Sequence, residues 1–259
     1  MSAPSIHPAA VVHPGARIGA DCHIGPYCVI GEHVVLGEGC RLHSHVVIDG
    51  RTRIGARNEF FPFTAIGMKT QDLKWQGGVQ RLQIGDDNVF REGVTVHCGT
   101  REETVTIIGN HNLLLIQAHV AHECILGDHI IMSGYAGLAG HVVVEDYAIF
   151  SGYVAVHQFC RIGCHSIMGG CSKVVQDVPP YMIVDGNPGE TRAVNKVGLE
   201  RRGFSEEARE ALKQAHRILF REDLAINNAL TKIEAELPPL PEIKHLVDFV
   251  RKSERGISK

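Results

Sequence analysis

The 259-residue sequence has no apolar run near 20 residues and almost no net charge. A membrane-spanning helix needs about 20 consecutive apolar residues, so no membrane span is predicted. The formal net charge of −3 gives no general reason to expect a nucleic-acid partner. The first residues contain no basic segment followed by an apolar stretch, so we expect no secretion and a cytoplasmic protein.

The eight cysteines contain no Cys-x-x-Cys pair with a matching second half. Because such paired motifs are typical of zinc sites, the sequence predicts neither a zinc site nor a disulfide framework. Five cysteines share one slot of a repeat, which is otherwise filled by small residues: Cys22, Cys28, Cys40, Cys124 and Cys160. We expect these to be reduced core residues.

The repeat itself has a period of six. From Ile6 to Val174, positions that are multiples of six hold Ile, Val, Leu, Phe or Met, except at Asp72, Gly78 and Glu102. Neither a helix nor a flat strand has this period, so it indicates a repeating backbone unit. Three units of one short strand and one bend close a triangular coil, in which residues eighteen apart stack at about 4.8 Å. The sequence predicts a parallel β-helix with the apolar residues inside.

Glycine follows eleven of these apolar residues directly, from Ile18-Gly19 to Met168-Gly169. We expect these glycines to supply the unhindered backbone that a tight corner needs. The three exceptions to the repeat fall in segments 68–81 and 101–106, and the phase resumes after each. Both segments are therefore predicted to be loops that leave the triangular prism formed by the coils. Functional residues often lie on such loops.

After Val174 the repeat ends, and the composition changes to alternating charge with helical periodicity. We expect a β-helix over residues 1–189 and a small α-helical subdomain over 190–259. Ser205 can cap a helix that places Ala208, Leu212, Ala215 and Leu219 on one face. A second helix is expected after Asp223, and a last one from about Pro241 to Arg251.

Basic residues gather where these helices begin: Lys196, Arg201, Arg202, Lys213, Arg217 and Arg221. Two interpretations stay open for this basic cluster, namely a solvated helix face or a docking site for an acidic partner or a phosphate.

The histidine content is the second informative feature of the sequence, with sixteen histidines in the chain. His119, His122, His141 and His157 lie in the later coils and avoid the inward positions of the repeat. The segment 117–124 places two imidazoles within four residues, beside the carboxylate of Glu123. Exposed histidines of this kind suit a groove between neighbouring prisms.

Several ordered motifs resemble those of the UDP-N-acetylglucosamine O-acyltransferase family. They are His97-Cys-Gly-Thr100, Gln71-Asp-Leu-Lys74, Ala118-His-Val-Ala-His122, Leu138-Ala-Gly-His141, Val156-His-Gln-Phe-Cys160, Gly169-Gly-Cys-Ser172, Gln176-Asp-Val-Pro-Pro180 and Arg201-Arg-Gly-Phe204. The resemblance covers nearly the whole chain. It implies an all-β, left-handed parallel β-helix of hexapeptide repeats with a C-terminal helical subdomain, assembled as a homotrimer. It also implies the first step of lipid A synthesis, transfer of a 3-hydroxyacyl chain from acyl carrier protein to the 3-hydroxyl of the UDP-sugar.

The resemblance assigns catalytic roles that fit the chemistry. A sugar hydroxyl attacks a thioester with the help of a base, and imidazole is suited to that task near neutral pH. The resemblance gives this role to His122, oriented by Glu123 where relatives usually carry Asp. Residues eighteen apart stack, so Gly140 lies one coil beyond His122, and the resemblance gives its backbone N–H to the oxyanion. No cofactor is implied, because the thioester is already activated.

Further substrate contacts are implied by the resemblance alone. Those expected at the sugar and the acyl chain are Asp72, Lys74, His119, His141, His157 and Gln158. The alternative for Asp72 and Lys74 is a loop charge pair, and His141, predicted to stack above Glu123, could be an ordinary exposed partner. Those expected at the nucleotide are Asn195, Arg201 and Arg202, because guanidinium groups bind diphosphates. Gly170 corresponds to the far end of the acyl groove, where a glycine leaves space for a longer chain. Acyl carrier protein is acidic, so the basic cluster has a candidate partner.

The sequence departs from the family at three places. Gly134-Tyr135 stands where relatives commonly have two asparagines, Cys98 where arginine is usual, and Lys196-Val197 in place of an aromatic-acidic pair. We expect these departures near the substrate, so the acceptor could instead be the 3-amino analogue of the sugar nucleotide.

Two interpretations from other classes remain. A hexapeptide carbonic anhydrase needs three histidines on one Zn²⁺, but His119 and His122 are three apart and His97 is not a multiple of eighteen before either. A non-catalytic scaffold explains the repeat, although it leaves the ordered polar motifs without a role.

Overall fold

The computed structural model describes residues 2–259 and winds most of the chain around three sheets, in which all neighbouring strands are parallel except the last pair of the first sheet, Met182–Asp185 and Glu190–Val194. The sheets contain 11, 9 and 8 strands, and successive strands of a coil belong to successive sheets. Ser5 pairs with His23 and Val11 pairs with Val29, so the predicted coil of eighteen residues is confirmed.

The strands are short, and most have two residues. The first sheet contains Ser5–Ile6, His23–Ile24, Arg41–Leu42, Glu59–Phe60, Val89–Phe90, Leu113–Leu114, Ile131–Met132, Ile149–Phe150, Ile167–Met168, Met182–Asp185 and Glu190–Val194. The second contains Val11–Val12, Val29–Ile30, Val47–Ile48, Ala65–Met68, Thr95–His97, His119–Val120, Gly137–Leu138, Ala155–Val156 and Lys173–Val174. The third contains Arg17–Ile18, Val35–Leu36, Arg51–Ile54, Arg81–Ile84, Val105–Ile108, Ile125–Leu126, Val143–Val144 and Arg161–Ile162.

The apolar residues of the sixfold repeat fill the interior of the prism. All of them from Ile24 to Val174 are buried, whereas Ile6 in the first coil is 42% exposed because no further coil covers it. Phe60 and Phe90 stack in consecutive coils with ring centroids 4.8 Å apart. The repeat therefore builds one continuous core along the prism axis.

The predicted core cysteines are confirmed as buried and unpaired, and all eight cysteines are free thiols. Four of the five predicted thiols donate to a backbone carbonyl of the next coil, as Cys22 Sγ does to Gly37 O at 3.0 Å; the other three are Cys28, Cys40 and Cys124. Cys98 is also fully buried, with its thiol donating to Gly67 O at 3.3 Å. The side chain of this departure from the family therefore packs in the core and cannot contact a bound substrate directly.

Ten of the eleven glycines that follow the apolar residues do not turn the corners, contrary to the sequence-based expectation; only Gly67, with φ 73°, has the left-handed conformation. The left-handed backbone conformation falls two residues later, on side chains such as Tyr27 and His45, each with φ 60°. A Cβ on Gly25 would instead lie 2.7 Å from His43 O in the next coil. Glycine is required there because neighbouring coils approach closely, not because the chain turns.

Two loops leave the prism on the same edge. Arg81 pairs with Arg51, thirty residues earlier, and with Val105, twenty-four residues later, instead of eighteen in each case. The first loop, which follows Met68 and ends before Arg81, therefore adds twelve residues to its coil. The second loop, between His97 and Val105, adds six. Both additions are multiples of six, which is why the apolar phase resumes.

The chain ends in four helices, α1 (Lys196–Arg201), α2 (Glu206–Arg221), α3 (Ile226–Glu236) and α4 (Pro241–Arg251). Ser205 Oγ accepts a hydrogen bond from the Ala208 N–H at 3.1 Å, so the predicted cap of α2 is confirmed. The buried face of the helices packs against Tyr181 and Met182 at the end of the coil. Across residues 2–259, no helix combines the length and apolarity that a bilayer crossing requires.

Candidate active site

A cleft of about 770 Å³ lies on the outer face of the second sheet, beneath the first loop. Small residues form its floor, and polar side chains stand at its edges. Its lining residues are Gln71, Asp72, Leu73, Lys74, His119, Ala121, His122, Gly137, Leu138, Ala139, Gly140, Ala155, Val156 and Gln158. Most of the predicted sugar and acyl residues are thus brought to one place.

His122 and Glu123 form a hydrogen-bonded pair at the edge of this cleft. The imidazole Nδ1 donates to Glu123 Oε2, because an ionised carboxylate can only accept. This contact fixes the tautomer in which Nε2 carries the free lone pair. Nε2 makes no hydrogen bond to any of residues 2–259, and the side chain of His122 is 13% exposed. The ring is therefore positioned to accept a proton from a group bound in the cleft.

The Glu123 carboxylate is buried beneath the second loop, which holds it in place. Thr104 Oγ1 donates to Glu123 Oε1 at 2.6 Å. Thr100 donates to the carboxylate through its backbone N–H, and through Oγ1 at 3.2 Å. The Glu123 N–H donates to Thr106 Oγ1 at 2.9 Å. The side chain, longer than the usual Asp, is thus folded back so that its two oxygens serve the loop and His122 together.

These hydrogen bonds keep Glu123 ionised. Burial by itself would raise the pKa of the Glu123 carboxyl, because it disfavours the charged form. Hydrogen bonds from Thr104, the Thr100 backbone and His122 outweigh burial and lower the pKa below its ordinary value. At neutral pH a negative charge therefore faces the imidazole, where it stabilises the protonated ring that forms during proton transfer.

Gly140 lies against the His122 ring, one coil further along, as the stacking of residues eighteen apart predicts. A Cβ built on Gly140 would lie 2.6 Å from His122 Nε2, so only glycine fits beside the ring. The Gly140 N–H donates no hydrogen bond within residues 2–259, while the neighbouring His141 N–H donates to His122 O at 3.0 Å. A free backbone donor thus stands next to the free imidazole nitrogen.

Other imidazoles surround this pair. His141 Nε2 lies 3.8 Å from Glu123 Oε2, so the predicted stacking of these two residues is confirmed. His119 Nδ1 is hydrogen-bonded to Thr95 Oγ1 at 2.7 Å. Its ring lies 4.9 Å from that of His97 between centroids. Burial of the imidazole, and then the neighbouring histidines, lower the pKa of His97 to about 4, so His97 is neutral at pH 7.

The first loop is connected to the Glu123 carboxylate through two threonines. The Asp72 N–H donates to Thr70 Oγ1 at 3.1 Å, and Thr70 Oγ1 contacts Thr100 Oγ1 at 2.9 Å. Asp72 Oδ1 accepts from the backbone N–H of Lys74 at 2.9 Å. No ion pair joins the Asp72 and Lys74 side chains in the part of the chain that the structure describes, so both are available to a ligand.

Two of the expected substrate residues, His157 and Gly170, do not line the cleft, although the chain neighbours of His157, Val156 and Gln158, do. His157 is exposed, and its Nδ1 lies 3.3 Å from Arg255 Nη2 beside the C-terminal segment. Gly170 lies at another corner of the second sheet, two coils beyond Gly140. The nearest atom to a Cβ built on Gly170 is Gly152 O at 3.6 Å, an ordinary contact distance. Space for a side chain is therefore left unfilled there.

The expected nucleotide residues lie at a third corner. The Arg202 guanidinium lies 4.0 Å over the Tyr147 ring. Tyr147 stacks on His165 with centroids 4.7 Å apart, and Asn195 Nδ2 donates to His165 O at 2.8 Å. Asn195 is buried and caps α1, whereas Arg201 is exposed. Within one chain, none of these residues meets the cleft that contains His122.

The basic cluster of the helices is partly neutralised. Arg217 pairs with Glu222 at 3.3 Å, and Lys213 pairs with Glu210 at 3.3 Å. These exposed pairs support the interpretation of a solvated helix face for that half of the cluster.

The sequence reasoning did not select Thr100, Thr104 or His97 as site residues. The spacing of His97 to His119 was used only against a three-histidine zinc site, because it is not a multiple of eighteen. The rule of eighteen does not hold in this coil, because the second loop lengthens it and pairs Thr95 with His119. The same insertion brings Thr104 over Glu123, and no spacing rule predicts where a loop residue lies.

Comparison with known proteins gives consistent results. Residues 177–258 match the family model described as "Udp N-acetylglucosamine O-acyltransferase; Domain 2", and residues 15–50 match "Bacterial transferase hexapeptide (six repeats)". The acyl-[acyl-carrier-protein]--UDP-N-acetylglucosamine O-acyltransferase of Stutzerimonas stutzeri is 45% identical over 211 residues, 81% of this chain and 82% of the relative.

Solved structures agree over the full length. LpxA from Acinetobacter baumannii is 42% identical with a TM-score of 0.95, covering 98% of this chain and 99% of that one. LpxA from Bacteroides fragilis, a UDP-N-acetylglucosamine acyltransferase, is 41% identical with a TM-score of 0.97, covering 98% and 100%. The predicted fold class, a left-handed parallel β-helix followed by a helical subdomain, is confirmed. The chain belongs to the UDP-N-acetylglucosamine O-acyltransferase family.

Proposed function

We propose that the chain transfers a 3-hydroxyacyl group from acyl carrier protein to the 3-hydroxyl of UDP-N-acetylglucosamine, with His122 as general base. One observation carries this proposal: the His122 ring is fixed by Glu123 on one side and has a free Nε2 on the cleft, beside the unpaired N–H of Gly140. The named relatives support O-acyl transfer. They do not support the alternatives of a 3-amino acceptor, a carbonic anhydrase or a scaffold.

The base acts at two points of the reaction. His122 Nε2 accepts the proton of the sugar hydroxyl as the oxygen forms its bond to the thioester carbon. When the tetrahedral intermediate collapses, the carbon–sulfur bond breaks and the imidazolium returns the proton to the leaving thiolate. The buried Glu123 carboxylate stabilises the imidazolium between these steps.

The oxyanion of the intermediate needs a preorganised donor. The Gly140 N–H is unpaired within residues 2–259 and lies beside the base, so it can donate to the oxyanion without rearrangement. A side chain at this position would displace the His122 ring. Glycine therefore serves both the donor and the base.

The first loop is the proposed acceptor site. Asp72 and Lys74 project into the same cleft as His122, and the Asp72 backbone is tied through Thr70 and Thr100 to the second loop. A carboxylate and an ammonium group suit the hydroxyl and amide groups of the sugar. His119, His141 and Gln158 would complete the contacts around the reacting centre.

We infer that the working enzyme is a homotrimer whose active sites are shared between protomers. The support is geometric: Asn195, Arg201 and Arg202 lie at a different corner from His122, and a second copy could bring them to the cleft. Leu73, at the cleft edge of the first loop, is fully exposed, as expected of a side chain that another protomer covers. His157 would then belong to the same shared surface.

This arrangement can be tested by mixing two variants that are each impaired at a different part of the site, at a sugar-nucleotide concentration below KM. His122→Ala and Arg202→Ala homotrimers, dissociated and reassembled together, should regain part of the wild-type rate if the two residues of one site come from different protomers. Each variant reassembled alone is the control. A mixture no more active than its components would contradict shared sites.

The floor of the cleft is the proposed path of the acyl chain. Gly137 and Ala155 have small side chains, so they leave room for a ligand on the outer face of the second sheet. Gly170 leaves further space two coils beyond Gly140. We therefore propose a preference for longer acyl chains. Acyl carrier protein would bring the chain to the basic side of the helices, where Lys196 and Arg201 pair with no acidic side chain within residues 2–259.

The free thiols support a cytoplasmic location, because disulfides are rare in reducing compartments. We also propose that the reaction belongs to lipid A biosynthesis, as the family resemblance implies.

The experiment that tests the function is an acyl-transfer assay with purified protein. The donors are 3-hydroxyacyl thioesters of acyl carrier protein of graded length, and the acceptors are UDP-N-acetylglucosamine and its 3-amino analogue. We expect transfer to the hydroxyl acceptor, fastest with the longer chains. Exclusive use of the amino analogue, or no transfer with any donor, would overturn the proposal.

A further inference from the structure

Three side chains of types that can bind a metal ion meet outside the cleft, where α4 packs on the coil. Glu145 and Cys164 belong to consecutive coils at one corner of the prism, and His245 comes from α4. One ligand atom from each lies within 4.8 Å of the others. Glu145 Oε2 lies 2.8 Å from His245 Nε2 and accepts from the Cys164 N–H at 2.9 Å. The proposed acyl transfer uses none of the three.

The donor set has the chemistry of a zinc site. Thiolate, imidazole and carboxylate are the three side-chain ligands of Zn²⁺, bound at about 2.0–2.3 Å in a tetrahedron. Ligand atoms around such an ion lie about 3.3–3.7 Å from one another, by the tetrahedral geometry of those bond lengths. The present spacing of the three groups therefore needs only rotamer-sized changes.

The surroundings leave room for the ion and a fourth ligand. A cavity of about 360 Å³ opens at the three side chains and is lined in addition by Asp146 and Tyr181. The side chains of Glu145 and His245 are 26% and 40% exposed, so the site has an entry path from solvent. A water molecule could fill the remaining position of the tetrahedron.

We propose that Glu145, Cys164 and His245 bind one Zn²⁺ that fastens α4 to the β-helix. This revises the sequence-based expectation of no metal site, which rested on the lack of paired cysteine motifs. The ligands come from segments that are a hundred residues apart, so no local motif could show them. Binding displaces the proton of the Cys164 thiol and adds the bonds of the metal to the contacts between the two parts of the chain.

The competing interpretation is an ion pair between Glu145 and His245, with Cys164 as a neutral neighbour. The two interpretations differ in whether sulfur is a ligand. Cobalt reports this directly, because a Co²⁺–thiolate bond gives a charge-transfer absorption that nitrogen and oxygen ligands do not. The cluster of His122, Glu123 and His141 contains no sulfur, so Co²⁺ bound there would not give this band.

The experiment titrates metal-free full-length protein with Co²⁺ and then with Zn²⁺. We expect the thiolate band to rise to one equivalent of Co²⁺, to be displaced by Zn²⁺, and to be absent in Cys164→Ser. Cys171→Ser, which removes an exposed thiol elsewhere, should keep the band. Zn²⁺ should raise the Tm of wild type and Cys171→Ser but not of Cys164→Ser.

Three results would overturn the proposal. The first is the absence of a thiolate band in wild-type protein that circular dichroism shows to be folded. The second is a band of equal strength in Cys164→Ser. The third is unchanged binding in His245→Gln, which keeps the thiol and should weaken binding at least tenfold.

Discussion

Thr104 Oγ1 lies 2.6 Å from Glu123 Oε1, so a residue of a surface loop holds the carboxylate that orients the His122 imidazole. This contact is shorter than the 2.9 Å between Thr104 Oγ1 and Arg101 O, and the charged acceptor is the stronger one. Thr100 holds the same carboxylate, and Thr70 connects Thr100 to the first loop. Both loops therefore help to position the His122 imidazole, through their contacts with the Glu123 carboxylate.

Replacing Thr104 by Val should slow catalysis and shift its pH dependence. A hydrogen bond to a charged group contributes about 1.5–3 kcal/mol, so kcat should fall about tenfold to a hundredfold. Loss of a donor to the ionised form raises the pKa of Glu123, so protonation occurs at higher pH and the acid limb of kcat/KM moves upward. The measurement is kcat/KM from pH 4 to 9.

Thr104→Ser is the matched variant, because it keeps the hydroxyl and loses only the methyl group. It should restore the wild-type pH profile. If Thr104→Val and Thr104→Ser have the same acid limb as wild type, the loop does not position Glu123.

Gly140→Ala should inactivate the enzyme without unfolding it. The added Cβ would lie 2.6 Å from His122 Nε2, so the ring must move and the oxyanion donor is shielded. Loss of one oxyanion donor costs about 10²–10³ in kcat. Gly152→Ala is the steric control, since its Cβ would meet Gly134 O at 3.5 Å. Steady-state kcat and circular dichroism are compared for both variants, and a fully active Gly140→Ala protein would refute the assignment.

Gly170→Leu should shorten the preferred acyl chain. The backbone accepts a Cβ at this position, because the nearest atom lies at 3.6 Å. The leucine side chain would then fill the space that a long acyl chain needs. The ratio of kcat/KM for long and short 3-hydroxyacyl donors measures the effect, which should reverse the order of preference. An unchanged ratio would place the end of the acyl groove elsewhere.

Arg202→Lys should weaken binding of the nucleotide with little change in kcat. Lysine keeps the charge but loses the planar guanidinium that lies over Tyr147 and can bind a diphosphate at two points. We expect KM for the sugar nucleotide to rise about tenfold, equivalent to about 1.4 kcal/mol. KM for the acyl carrier protein donor serves as the internal control. A rise in the donor KM alone would assign Arg202 to carrier-protein docking instead.

The sequence was sufficient for the periodic parts of the molecule. The sixfold repeat predicted the coil, the inward face and the stacking of Gly140 beside His122, because all of these follow from one constant spacing. The cap at Ser205 and the limits of α4 were equally predictable, because the signals are local.

The sequence was not sufficient where the spacing changes or distant segments meet. The second loop alters the pairing of its coil, so Thr104 and His97 reach the site without any periodic signal. The glycines were assigned to corners, whereas the structure places them where coils approach closely. His245 reaches Glu145 only because α4 folds back onto the prism.

The central claim is that His122 removes the proton from the acceptor hydroxyl. The most direct test measures the rate of acyl transfer to UDP-N-acetylglucosamine by wild type, His122→Ala and His33→Ala, an exposed histidine of an early coil. We predict that His122→Ala remains folded and loses about 10²–10⁴-fold in kcat, while His33→Ala keeps the wild-type rate. A His122→Ala enzyme within a few-fold of the wild-type rate would contradict the account.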